Sequence, residues 1–281
     1  MTEPGGILEA FGEAALSAFC TEFEASGLHS IDAFLTRRPE LQEIGKHCIA
    51  GTLLLSEAEW RIVNPRSDWY GIFWNQVATD RLEELDFSWL SVVTFNYDRS
   101  FEQYLLRAIM ATYGVPEVGA LERLATLRIV HVYGSLGGAF SSSQNFLARE
   151  GGLTAARVTM AAASLRVIPE HRQSGEDELE AAKDLLRASW RTAIMGFGFD
   201  RINLSRLSAG ETLSPQRMRL ENHHGTRQVV ATCMGMTSAE AREAGATCGI
   251  ADQASVVKVL PKGFIETDCV GLLRETLILR G

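Results

Sequence analysis

Cysteine is scarce in this chain, and none of it falls in a spacing that carries chemistry. Cys20, Cys48, Cys233, Cys248 and Cys269 form no Cys-x-x-Cys and no zinc-ligand spacing. They read as scattered reduced thiols used for core packing in a cytosolic protein, and no metal is expected. Long apolar runs are missing too: Leu53 to Leu55 is too short to span a bilayer. The amino terminus lacks a basic segment followed by an apolar core, so a secretory signal is not expected. A soluble, cytoplasmic protein without a membrane partner is the expectation. Positive charge is the minority sign, with 27 Lys and Arg against 35 Asp and Glu and a net charge of -8. That balance, with a pI near 5.4, argues against nucleic acid or an anionic membrane as the main partner. No P-loop, no His-Glu-x-x-His, no nucleophile elbow and no internal repeat is present.

What the chain does have is length and apolar content. At 281 residues and 46% hydrophobic it can build one large domain over 1–281. The first third is helical in character, a layer over 1–86. Ile7 to Ala25 places Leu8, Phe11, Ala15, Ala18, Phe19 and Phe23 on a helical stripe. Ser30 or Asp32 can cap a short helix through Leu35, and Pro39 separates it from the next, which carries Leu41, Ile44, Cys48, Ile49 and Leu53. Trp69, Phe73, Trp74 and Val77 mark a third helix, running toward Leu85.

From 87 onward, strands alternate with helices. The pattern predicts strands at 89–95, 127–133, 165–168, 192–196 and 227–232, with helices at 99–112, 117–125, 176–189 and 202–207. Thr237-Ser238-Ala239-Glu240 has capping-box spacing for a further helix ending near Gly245. Such alternation implies an α/β fold with a Rossmann-like, mostly parallel, doubly wound sheet behind the helical amino-terminal layer. The segments 136–153 and 208–226, rich in Ser, Gly, Asn and His, are the expected mobile loops.

Three strand ends are the candidate site. The apolar run Leu90 to Phe95 stops abruptly at Asn96-Tyr97-Asp98, and a helical pattern starts at once. Open α/β sheets bind ligands at the carboxyl ends of their strands, so Thr94, Asn96 and Asp98 become candidates. Turn chemistry is the competing account, since Asn and Asp also cap helices. His131 and Tyr133 lie two apart on one predicted strand and so project on one face. A core histidine with satisfied hydrogen bonds is the competing reading for His131. Gly134, directly after, would let a ligand approach the backbone closely. Ser135, Gly137 and Gly138 extend a permissive loop whose plain reading is a turn. Gly196-Phe197-Gly198-Phe199-Asp200 lacks the third glycine of a dinucleotide fingerprint and draws its interest from its place after a third apolar strand. His223-His224, Glu57/Glu59 and Glu83/Glu84 read as solvated surface.

Taken in order, Thr94-Phe95-Asn96-Tyr97-Asp98, His131-Val132-Tyr133-Gly134-Ser135 and Gly196-Phe197-Gly198-Phe199 resemble the sirtuin-like family. The nearest group is similar to the bacterial sirtuin-like proteins of anti-phage defence. Ser30 to Leu35, Glu43-Ile44-Gly45-Lys46, Trp69-Tyr70 and Phe95 to Glu102 add to the likeness, which covers most of 28–240. The resemblance implies NAD, as substrate or ligand, at the carboxyl ends of a Rossmann-like sheet. Asn96 would orient the ribose and a water, and Asp98 would shape the nicotinamide pocket. Thr94, Gly134 and Ser135 would line the site, while Gly196 and Gly198 would border the adenosine ribose. The implied activity is hydrolysis of NAD to ADP-ribose and nicotinamide. Deacylating members carry a four-cysteine zinc module that this chain lacks. A homo-oligomer or a defence partner protein is compatible with that reading.

Two departures from the family pattern matter. Members begin with a strand, a Gly-Ala-Gly-x-Ser loop and a helix whose amides cradle the pyrophosphate. Here the sequence opens in a helical pattern and Gly5-Gly6 follows no strand, so a vacancy beside strands 89–95 and 192–196 is expected, leaving strand edges unpaired. The family's catalytic His stands directly before the Gly, a position held here by Tyr133. His131 lies roughly 6–7 Å back along the strand. With a pKa of about 10, a tyrosine donates a hydrogen bond but is a poor base at neutral pH. The catalytic set is therefore Asn96, Tyr133 and His131, with Tyr133 and His131 bonding the ribose diol. A non-catalytic sensor or scaffold for NAD or ADP-ribose is the second reading, and a truncated relative without nucleotide the third.

Overall fold

A computed structural model describes residues 5–28, 30–59, 68–137, 154–167, 176–213, 227–248, 263–276 and 278–279. The chain is mixed α/β with two short parallel sheets, and it divides into two compact units. One holds 1–62 and 81–178, the other 63–80 and 179–281. Among the described residues no helix is long and apolar enough to cross a membrane.

The first unit opens with helices α1 (Gly5–Ala25), α2 (Ile31–Arg37) and α3 (Gln42–Glu59). Gly12 breaks α1 with a positive φ of 76°, and the break resets the helical phase. The packed stripe is therefore Phe11, Leu16, Phe19 and Phe23, while Ala15 and Ala18 are exposed. Ser30 caps α2 as its sequence predicts, its Oγ accepting from Ala33 N at 3.3 Å. Phe34 then meets Phe19 and Phe23 at ring-centroid distances of 6.1 and 5.3 Å. Leu35 presses so tightly on Gly45 of α3 that an added Cβ would lie 2.6 Å from it. A larger residue there would have to move the Leu35 side chain.

The rest of this unit is β1 (Ser91–Thr94), α5 (Ser100–Tyr113), α6 (Glu117–Leu124), β2 (Arg128–His131) and α7 (Ala155–Ser164); the intervening α4 (Trp69–Val77) belongs to the second unit. β1 and β2 run parallel, with Ser91 opposite Arg128 and Thr94 opposite His131. Helix α5 needs no side-chain cap at Arg99 and ends at Gly114, whose φ of 65° no branched residue would take readily. All four β1 residues, Val92 included, are only half-buried. Strand β1 has β2 as its partner and no other among the described residues.

The second unit holds α4, α8 (Glu176–Ala188, whose first residues lie in the first unit), β3 (Arg191–Ile194), α9 (Arg201–Arg206), α10 (Ala209–Thr212), β4 (Gln228–Thr232), α11 (Ser238–Thr247), β5 (Phe264–Ile265) and α12 (Cys269–Thr276). Strands β3, β4 and β5 are parallel in that spatial order. Their core gathers Phe199, Leu204, Val229, Ala231, Cys233, Ala241, Ala244 and Phe264. The capping box of α11 forms as its spacing predicts: Glu240 N donates to Thr237 Oγ1 and Thr237 N to Glu240 Oε2. Helix α4 docks on α12, with Gln76 Nε2 donating to Leu273 O at 2.9 Å.

Several expectations need correction. The predicted strand at 165–168 is absent over its described part, because Leu165 N bonds Ala162 O and closes α7 instead. A single ladder-like bond survives there, from Arg166 N to Tyr133 O at 2.9 Å. Strand β2 stops at His131, because Gly134 N turns back to His131 O, so Tyr133 lies in a turn and not on the strand. Helices α7, α10 and α12 and strand β5 have no counterpart in the sequence reading. Cys233 and Cys248 are core residues as expected, their thiols pushed up by burial, Cys248 to about 12, but Cys20 is exposed. Gly138, His223, His224 and most of both predicted mobile loops lie outside the described residues.

Candidate functional site

Seven of the nine candidate residues belong to the first unit, around the carboxyl ends of β1 and β2; Gly196 and Gly198 belong to the second. After Thr94 the chain turns sharply. Thr94 Oγ1 accepts from Asn96 N at 3.0 Å, and Thr94 O accepts from Val132 N at 2.9 Å. The turn leaves the Asn96 side chain in solvent. Asp98 behaves as turn chemistry predicts: its Oδ1 accepts from Ser100 N at 3.1 Å and from Ser100 Oγ, opening α5.

Tyr97, between them, is buried and points the other way. Its hydroxyl lies 3.1 Å from Asp32 Oδ1 and 3.2 Å from Arg166 O. The one phenol proton is directed at both acceptors. Burial pushes the Asp32 carboxyl up, against a smaller downward pull from the Tyr97 hydrogen bond.

Two buried pairs of ionisable side chains sit directly beside this loop. Arg99 and Glu57 each have side chains only 2% exposed. Glu57 accepts from the Arg99 backbone N at 2.8 Å and from Nη2 at 2.8 Å. Glu57 is thus an interior anion, which corrects its reading as solvated surface. Glu84, by contrast, is exposed and pairs with Arg81 as a surface charge does. The second pair is His131 with Glu102. His131 Nδ1 lies 2.7 Å from Asn96 O, and Nε2 lies 2.7 Å from Glu102 Oε1. Burial pulls the imidazole's pKa down, but the hydrogen bond and charge of Glu102, with Asn96 O and Asp98 adding to them, outweigh it. The net direction is upward.

Tyr133 is buried, and its ring meets Phe95 edge-on at 5.4 Å. Gly134 has a φ of 79°, and a Cβ there would fall 2.2 Å from Ser164 O. What approaches this glycine is the chain's own backbone at the end of α7, which is sufficient reason for the residue. Ser135 Oγ closes a small loop onto Gly137 O. In the second unit, Gly196 takes a φ of 61° and donates its N–H to Thr232 Oγ1 at 2.9 Å. Gly198 has open space where a Cβ would be, Phe199 carries a positive φ of 50°, and Asp200 caps α9.

Arg99 and Glu102 were not singled out by sequence, and Glu57 was read as surface, though a signal was there. Glu102 shares a helical face with Leu105, Leu106 and Ile109, all buried. Glu57 follows Ala50 and Leu54 on the buried face of α3. An acid on an apolar stripe needs a partner. Among the described residues no group of three or more His, Cys, Asp or Glu could hold a metal ion. No protein-family model matches the chain, and neither a curated protein nor a solved structure matches it.

Proposed function

We propose that this chain is a sirtuin-like, Rossmann-like doubly wound protein that binds NAD and hydrolyses it to ADP-ribose and nicotinamide in the cytoplasm of a prokaryote defending against phage. The observation that carries the reading is Asn96: a solvent-facing amide on a strand end whose N–H and C=O are both fixed by neighbours. A fixed backbone with a free amide is what orienting a ribose and a water requires. Nicotinamide is a good leaving group, so positioning can carry much of the rate without a strong base. Tyr133 would serve the ribose diol.

The test is nicotinamide release from NAD by the purified protein, measured chromatographically. Wild type is expected to turn over and Asn96→Ala to be inactive. Equal turnover by the two removes Asn96 from the mechanism. A second reading, a sensor that binds NAD or ADP-ribose without hydrolysis, is favoured by His131, whose two ring nitrogens both already have partners. Asn96-dependent binding without nicotinamide release is its signature.

A further inference from the structure

We propose that Glu102 is a positioning residue that acts through the buried His131 ring to hold the Asn96 carbonyl, and with it the Asn96 amide, in the geometry used on the ligand. The proposal rests on the reading of Asn96 given above.

Proton counting carries it. A carbonyl oxygen has no proton to give, so at 2.7 Å from Asn96 O the Nδ1 of His131 must be the donor. Its Nε2 faces Glu102 Oε1 at the same distance, and the two share one more proton. With His131 at 8% and Glu102 at 2% exposure, water cannot substitute for either partner. The ionisable side chains that bear on the ring are Glu102 from α5 and Asp98 from the β1–α5 loop. Both are acids, and together they favour the doubly protonated ring.

Removing that shared proton breaks the arrangement. A neutral ring has one N–H for two acceptors. The charge-assisted bond to Glu102 is the stronger, so the ring keeps its proton on Nε2 and turns a lone pair toward Asn96 O. The hold on Asn96 is therefore present at low pH and lost as pH rises through the raised His131 value, and its contribution to stability follows the same sign. Glu102→Gln reverses this. Its side-chain amide donates to Nε2, and a neutral ring then keeps Nδ1–H on Asn96 at all pH values above its own titration.

The experiment is an NMR titration of the full chain with labelled histidine and asparagine. His131→Phe assigns the ring, and nicotinamide release is measured in parallel. In wild type, the His131 ring is expected to titrate above its ordinary value, and the Asn96 carbonyl resonance should follow that titration. In Glu102→Gln the ring should titrate below the ordinary value of about 6.5, and the Asn96 resonance should not move at alkaline pH. Wild-type kcat should fall about tenfold per pH unit beyond the His131 titration, with KM unchanged, and Glu102→Gln should lack that limb. An ordinary His131 titration in wild type, or an Asn96 carbonyl indifferent to it, overturns the proposal. A chain that shows the coupled titration but never releases nicotinamide keeps the positioning role and overturns the hydrolase reading.

Discussion

Replacing Glu57 with leucine should be far more damaging than removing a surface charge, and removing its partner as well should recover much of the loss. In the native chain the Glu57 carboxylate accepts from Arg99 N, Nε and Nη2, at 2.8, 3.4 and 2.8 Å, with both side chains almost fully enclosed. Glu57→Leu takes the carboxylate away from a buried guanidinium, for which about 3–5 kcal/mol is the usual penalty. That is a large share of the roughly 5–15 kcal/mol that holds a domain folded. Glu57→Leu/Arg99→Met removes both charges and fills the space with carbon. What remains is the orphaned Arg99 backbone N–H, worth about 1–3 kcal/mol. The double variant should therefore be more stable than the single one.

Urea unfolding followed by circular dichroism gives the two differences. Hydrogen exchange at the amides of 101–106 confines the reading to this unit. A Glu57→Leu protein within about 1 kcal/mol of wild type would show that the pair is solvated in solution. A double variant less stable than the single one would show that the charge itself, and not its burial unpaired, is what the fold needs.

Gly134→Ala should be poorly tolerated: left-handed backbone costs an alanine about 1–2 kcal/mol, and the Cβ must also displace the Ser164 carbonyl 2.2 Å away. In a thermal melt its midpoint should drop by several degrees while that of Gly198→Ala, with nothing within 4 Å, stays close to wild type; equal drops contradict the geometry. Tyr133→His should raise nicotinamide release if hydrolysis is limited by the lack of a base, since imidazole titrates near neutrality. A tenfold gain corresponds to about 1.4 kcal/mol of barrier. Normal NAD binding with no faster release would dismiss that argument.

Local chemistry was legible in the sequence where it was self-contained. The Ser30 cap, the Thr237–Glu240 box and the Asp98 turn each depend on residues two or three apart, and each forms. The apolar runs behind β1 to β4 were legible for the same reason, although each strand is shorter than its run, and β2 stops early because Gly134 N turns back to His131 O. What was not legible depends on distant partners. Nothing local announces that Glu57 will meet Arg99 or that Glu102 will meet His131, 42 and 29 residues apart. Strand β5 is two residues long, too short for a period to register. The role of Gly134 was read as room for a ligand because its true neighbour, the end of α7, is 30 residues away and was not predicted as a helix end.

Stability alone does not account for where the two buried pairs lie. A buried ion pair is often matched or surpassed in stability by apolar residues of similar volume. Yet this fold sets two of them within one short segment, Asn96 to Glu102. Their hydrogen bonds hold its backbone at two points: Glu57 fixes the N–H of Arg99, and His131 fixes the C=O of Asn96. Tyr97, between them, is tied through its hydroxyl to Asp32 and the Arg166 carbonyl. The backbone is thus held at several points, while Asn96 is the most exposed residue of the segment. The same restraint makes the Asn96 substitution the sharpest test of function, because the held atoms are all backbone or belong to other residues. Asn96→Ala can delete the amide and leave its scaffold standing.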